Sequence, residues 1–150
     1  MESCLGCDFM DGTKDLPGGR IFSTDYWVVE HCVGPFGVGT LIVKPKRHCV
    51  HYWELTNNEA SEVGDLLRLT SGVIEQILHP DQIYICLWSH LDWKPAHIHF
   101  VVQPISCDMK ETYPKNGAFL QCDMVSEKNF ATNEQIVEFA EKAKMIFNKV

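Results

Sequence analysis

Between Thr56 and Pro80 the chain carries an unbroken helical signal, and it organises the reading of everything around it. Thr56-Asn57-Asn58-Glu59 is a capping box, with Thr56 at the N-cap and Glu59 three residues on. Behind it Ala60, Val63, Leu66, Leu67, Ile74 and Leu78 recur at helical spacing, and His79-Pro80 ends the run. Strand-length apolar segments flank it on both sides. Ile21-Phe22, Tyr26 to Val29 and Thr40 to Val43 precede it; Ile83 to Trp88 and His97 to Val102 follow. A second capping box, Thr132 with Gln135, opens a last helix with Ile136, Phe139, Ala140, Ala143, Ile146 and Phe147 on one face. Strands, helix, strands, helix is the order of an α+β fold. Residues 1–20 are turn-rich, and 105–131, with Pro114, Asn116 and Gly117, read as a long excursion. No repeat or linker divides the 150 residues, so one domain over 1–150 is expected.

Composition narrows the classes. Hydrophobic residues make up 45% and charged residues 22%, which excludes disorder, collagen and coiled coil. No apolar run approaches the roughly 20 residues of a membrane span. Met1-Glu2-Ser3-Cys4 shows no basic or apolar leader region, so a cytoplasmic protein is expected. A net charge of −7 argues against a nucleic-acid polymer as partner. Seven Cys and seven His stand out. An odd cysteine count argues against a disulfide framework and turns attention to a metal.

Cys4-Leu5-Gly6-Cys7 places two thiolates within reach of one zinc ion, with Gly6 easing the turn. A redox pair, which wants a helix N-terminus after a strand, and no special role are the competing readings. Cys32, Cys49, Cys86, Cys107 and Cys122 lie scattered among apolar residues and read as small hydrophobes in or near the core. The completing ligands are therefore expected to be histidines, giving Cys₂His₂. His97 and His99 share one strand face with Val101 and Gln103, while Ile98, Phe100 and Val102 can face the core. Lys44-Pro45-Lys46-Arg47-His48 is a local cationic patch, either a solvated strand end or an anion-steering rim. His79 reads as a surface cation at a helix end, His90 lies where it can reach the same pocket as His97, and His31 is unassigned.

Together these segments resemble the histidine triad superfamily. They are Cys4/Cys7, Gly39-Thr40-Leu41-Ile42-Val43-Lys44-Pro45-Lys46-Arg47-His48, Leu55-Thr56-Asn57-Asn58-Glu59-Ala60, and His97-Ile98-His99-Phe100-Val101-Val102. The likeness covers about residues 4–104 and leaves 105–150 as a C-terminal extension ending in a helix. It implies an α+β fold with a central antiparallel sheet, one long helix and a homodimer. It implies hydrolysis or transfer at the α-phosphate of a nucleotide conjugate, through a covalent nucleotidyl-histidine on His99. It further implies a structural zinc ion on Cys4, Cys7, His48 and His97. Lys94 is then the expected cation for the phosphoryl group, with Lys46 and Arg47 behind it, and His90, Gln103 or Ser89 the expected help for the leaving group. The chain departs from the pattern at Val101, where a third histidine belongs. It departs again at Glu30-His31-Cys32, where the family has a ribose-contacting acid, and at Trp88-Ser89-His90, where it has a phosphate-binding Asn. Those departures favour the alternative of a zinc-stabilised nucleotide-binding module with little turnover.

Overall fold

The structure is a computed structural model and describes residues 4–89 and 96–149. Its centre is a sheet of five antiparallel strands in the order β1-β2-β3-β5-β4. These are β1 (Arg20–Ser23), β2 (Trp27–His31), β3 (Leu41–Pro45), β4 (Gln82–Trp88) and β5 (His99–Ile105). The helices are α1 (Leu5–Asp11), α2 (Asn57–Leu78), α3 (Cys107–Thr112), α4 (Ala118–Ser126) and α5 (Asn133–Phe147). The fold class is the expected one. Both capping boxes form: the Thr56 hydroxyl accepts from the Glu59 N–H, and the Thr132 hydroxyl from that of Gln135. Among the described residues no helix is long and apolar enough to cross a membrane.

Strand alternation divides the sheet. Trp27, Val29, Leu41, Val43 and Val102 face one way and bury against Val63, Leu66 and Ile74 of α2 and Phe139, Ala140 and Phe147 of α5. The C-terminal helix therefore shares the main core. The opposite face carries Glu30, Ile42, Lys44, His99, Val101 and Gln103. It is covered too: Ile105 and Tyr84 pack with Tyr113, Leu120 and Met124. Strand β2 is buried along its whole length, between β1 and β3.

Three local expectations are corrected. Residues 1–20 hold a seven-residue helix, α1, with Cys4 at its N-cap and Gly12 closing it at φ 79°. The excursion from 105 contains α3 and α4. Strand β5 begins at His99 rather than His97 and runs on to Ile105 through Pro104. Its pairing with β3 ends at Val102, so the proline sits where only β4 runs beside it. Of the five scattered cysteines, Cys32 and Cys49 are buried and Cys86 is half-buried, but Cys107 and Cys122 are exposed on helices that cover the sheet from outside.

Candidate functional site

The N-terminal helix brings its cysteines to the start of β5. Cys4, Cys7, His48 and His97 place their ligand atoms within 4.8 Å of one another. The Sγ of Cys4 lies 3.5 Å from His97 Nδ1, and that of Cys7 lies 3.5 Å from His48 Nδ1 and 3.7 Å from His97 Nδ1. Tetrahedral zinc with its usual Zn–S and Zn–N bonds sets a sulfur–nitrogen edge of about 3.6 Å. The donor set and its spacing fit that ion. His97 Nε2 donates to the Pro45 carbonyl at 2.9 Å, which leaves the Nδ1 lone pair directed at the sulfurs. Gly6 has a steric reason: a Cβ there would sit 2.8 Å from His97 Nδ1. Burial, aided by the charges of Lys44, His48 and His99, lowers the His97 pKa to about 4, the neutral form a metal needs. Burial and the neighbouring Cys4 push the Cys7 thiol up to about 11. Two crowded thiols beside two imidazoles ionise together only with a cation between them, which argues for a metal over a redox pair.

Beside this cluster lies a cavity of about 520 Å³. Its floor is the sheet face carrying Glu30, Ile42, Lys44, His99 and Val101. Its walls are Leu5 and Phe9 from α1, the Val33–Phe36 loop, and Val125 and Phe130 from the C-terminal segment. His99 lines it, half-buried, with Nδ1 3.0 Å from the His97 carbonyl oxygen. Donation from Nδ1 to that carbonyl puts the imidazole lone pair on Nε2. Val101, in the third position, is buried on the same floor and brings no polar atom.

The other expected site residues separate. Gln103 is fully buried and does not line the cavity. Its amide donates to the Phe36 carbonyl at 3.3 Å and to Met124 Sδ at 3.1 Å, and it accepts from Gln121 at 2.9 Å. The Arg47 guanidinium donates to the Glu59 carboxylate at 2.7 and 2.9 Å and to the Glu54 carbonyl, and Arg47 does not line the cavity. Lys46 is half-buried and Ser89 exposed, its Oγ donating to the Val50 carbonyl at 3.0 Å; neither lines the cavity. His90 and Lys94 lie outside the described residues. His79 is the exposed cap of α2, and His31 is a buried strut, Nδ1 donating to the Cys32 carbonyl and Nε2 accepting from the Gly39 N–H. Lys44, expected at a solvated strand end or on an anion-steering rim, is buried in an ion pair with Glu30. Opposite charges on the same face of adjacent apolar strands are the sequence signal that marks that pair.

No family model matches the chain, and no curated protein matches it in sequence. Solved structures do match in fold. A zinc-bound histidine triad family protein from Mycobacterium smegmatis aligns at TM-score 0.67 with 20% identity, over 98% of this chain and 96% of that one. A Hit-like protein involved in cell-cycle regulation from Bartonella henselae aligns at 0.68 with 13% identity, over 93% and 92%. Plasmodium falciparum diadenosine triphosphate hydrolase aligns at 0.66 with 14% identity, over 88% and 78%. At these identities what is shared is the fold.

Proposed function

We propose that this chain, which has the histidine triad fold, works on the α-phosphate of a nucleotide conjugate with His99 as nucleophile. The observation that carries the reading is the pairing of His99 with the His97 carbonyl on the floor of the cavity. It orients the ring and selects the tautomer with its lone pair on Nε2. Nε2 attacks phosphorus; the P–N bond forms as the bond to the leaving group breaks, and the leaving group departs with that electron pair and takes up a proton. Water then attacks phosphorus, the P–N bond breaks, and a nucleoside monophosphate and free His99 result. Transfer replaces that water with another acceptor. Cys4, Cys7, His48 and His97 would hold zinc, whose part is to tie α1 to the start of β5, since four protein ligands leave no open position.

Supporting context extends to the setting. All seven cysteines are free, which suits the reducing cytoplasm. Strand β4 is a sheet edge and carries the exposed Ile85 and Leu87, which suits a homodimer. A panel of nucleoside phosphoramidates, dinucleoside polyphosphates and sugar nucleotides tests the activity. Turnover of one class, lost in His99→Ala with zinc content intact, is the expected result; turnover surviving in His99→Ala overturns the assignment.

One observation favours a second reading, a nucleotide-binding module with little turnover. Val101 offers neither a proton nor a hydrogen bond where a third histidine would stand. Saturable nucleotide binding with no turnover across the panel distinguishes it.

A further inference from the structure

Glu30 on β2 and Lys44 on β3 both line the cavity, with Nζ 2.6 Å from Oε2 and each side chain 4% exposed. Around them the lining is apolar, with Phe9, Ile42, Val101 and Phe130. An apolar pair of similar volume generally supports a fold as well as a buried ion pair does, because taking two charges out of water costs about as much as their attraction returns. A pair of this kind on a cavity wall calls for a use beyond holding the sheet. Their mutual contact engages one of three ammonium protons and one of two carboxylate oxygens. Donor and acceptor capacity therefore remains on two residues that line the cavity.

The pair is neutral as a whole. It adds no net positive charge for a phosphate, and the Glu30 carboxylate repels one. What it presents is a donor and an acceptor side by side in a water-poor wall. The matching ligand is an uncharged planar group with N–H donors next to a carbonyl. Position agrees. Val43 pairs with Phe100, so the next residue, Lys44, stands level with His99, while Glu30 lies on β2, two strand spacings or roughly 9.5 Å from β5. With the phosphate at His99, a nucleoside directed toward β2 would meet the pair. Phe9, whose ring centroid is 5.5 Å from Lys44 Nζ, and Phe36 give a flat base apolar surface to rest on.

We propose that the Glu30–Lys44 pair reads the edge of the nucleobase and selects guanine. The carboxylate accepts from N1–H and the 2-amino group, and the ammonium donates to O6. Adenine presents one amino donor beside one ring acceptor and satisfies one bond fewer. Uracil and cytosine likewise lack the paired N–H donors next to a carbonyl. The proposal rests on the nucleotide reading above.

Equilibrium titration of the full, metal-loaded chain with GMP, AMP, UMP and CMP tests it. The wild-type protein should bind GMP at least tenfold more tightly than AMP. In Glu30→Gln that ratio should fall to about two or less. Removing one partner of a buried pair can unfold a protein. The double variant Glu30→Gln/Lys44→Met, which restores neutrality, therefore carries the same expectation, with a thermal melt to check its fold. Equal affinities, preference for another base, or a GMP preference that survives in the double variant each overturn the pair's role and leave the nucleotide reading standing. No binding of any of the four nucleotides overturns both.

Discussion

His97 donates through Nε2 to the Pro45 carbonyl at 2.9 Å, and this bond turns its Nδ1 toward the sulfurs of Cys4 and Cys7. A ring held this way is a preoriented ligand rather than a packed core histidine. One zinc per chain is expected by elemental mass spectrometry, with loss of most of the metal in Cys4→Ser. Stoichiometric zinc retained in that variant contradicts the ligand set.

Gly6 lies against that same ring. A Cβ at this position would come within 2.8 Å of His97 Nδ1 and 2.9 Å of Cγ. Gly6→Ala must displace either α1 or the imidazole. Zinc affinity, measured by competition with a chromophoric chelator, should drop at least tenfold, in the range of lost outer-shell support. Wild-type affinity in Gly6→Ala would show that the helix has room to move.

The Arg47–Glu59 pair makes stability depend on acid. Hydrogen bonds from Arg47, and then from Thr56, lower the Glu59 pKa from an ordinary 4.5 to about 2. A depressed carboxyl stabilises the fold above the unfolded value, and that contribution disappears as pH falls from about 4.5 to about 2. The full shift corresponds to about 3 kcal/mol, which the 43% exposure of Arg47 discounts to about 1–2 kcal/mol. Denaturant melts of wild type and Glu59→Gln should differ by that amount above pH 5 and converge toward pH 2. A difference that stays constant down to pH 2 contradicts the pairing.

Much of this fold is legible in the chain because its signals are local. The capping boxes at Thr56 and Thr132 form as read, since a hydroxyl three residues from a carboxyl or amide completes its bonds within one turn. The histidine–cysteine cluster is legible in kind, because C-x-x-C and paired histidines carry their chemistry in their spacing. What escapes is tertiary. Helix α1 is only seven residues long and lies against His97, just before β5. The alternation of β5 put Gln103 beside His99, but it could not show that α4 would cover that end of the face. Arg47 lies in a cationic run, and only the start of α2, folded beside it, shows that its charge is already met by Glu59. The Glu30–Lys44 pair joins residues fourteen apart whose approach depends on strand register.

Gln103 gives a direct check on how burial divides the expected site residues. It joins β5 to α4 through Gln121 and Met124 and does not line the cavity. Gln103→Leu removes the acceptor of the Gln121 amide inside the protein, at a cost of about 1–3 kcal/mol. Thermal stability should fall while turnover per folded molecule stays unchanged. A loss of turnover with full stability would return Gln103 to the chemistry.

The central claim is that His99 carries the nucleotide. Intact-mass spectrometry of the chain, quenched at neutral to alkaline pH during reaction with a nucleoside phosphoramidate or dinucleoside polyphosphate, measures this most directly. The account predicts an acid-labile mass increase of one nucleoside monophosphate that maps to His99 and is absent in His99→Ala. Turnover of the same substrate with no such adduct at His99, or with the adduct retained in His99→Ala, would contradict it.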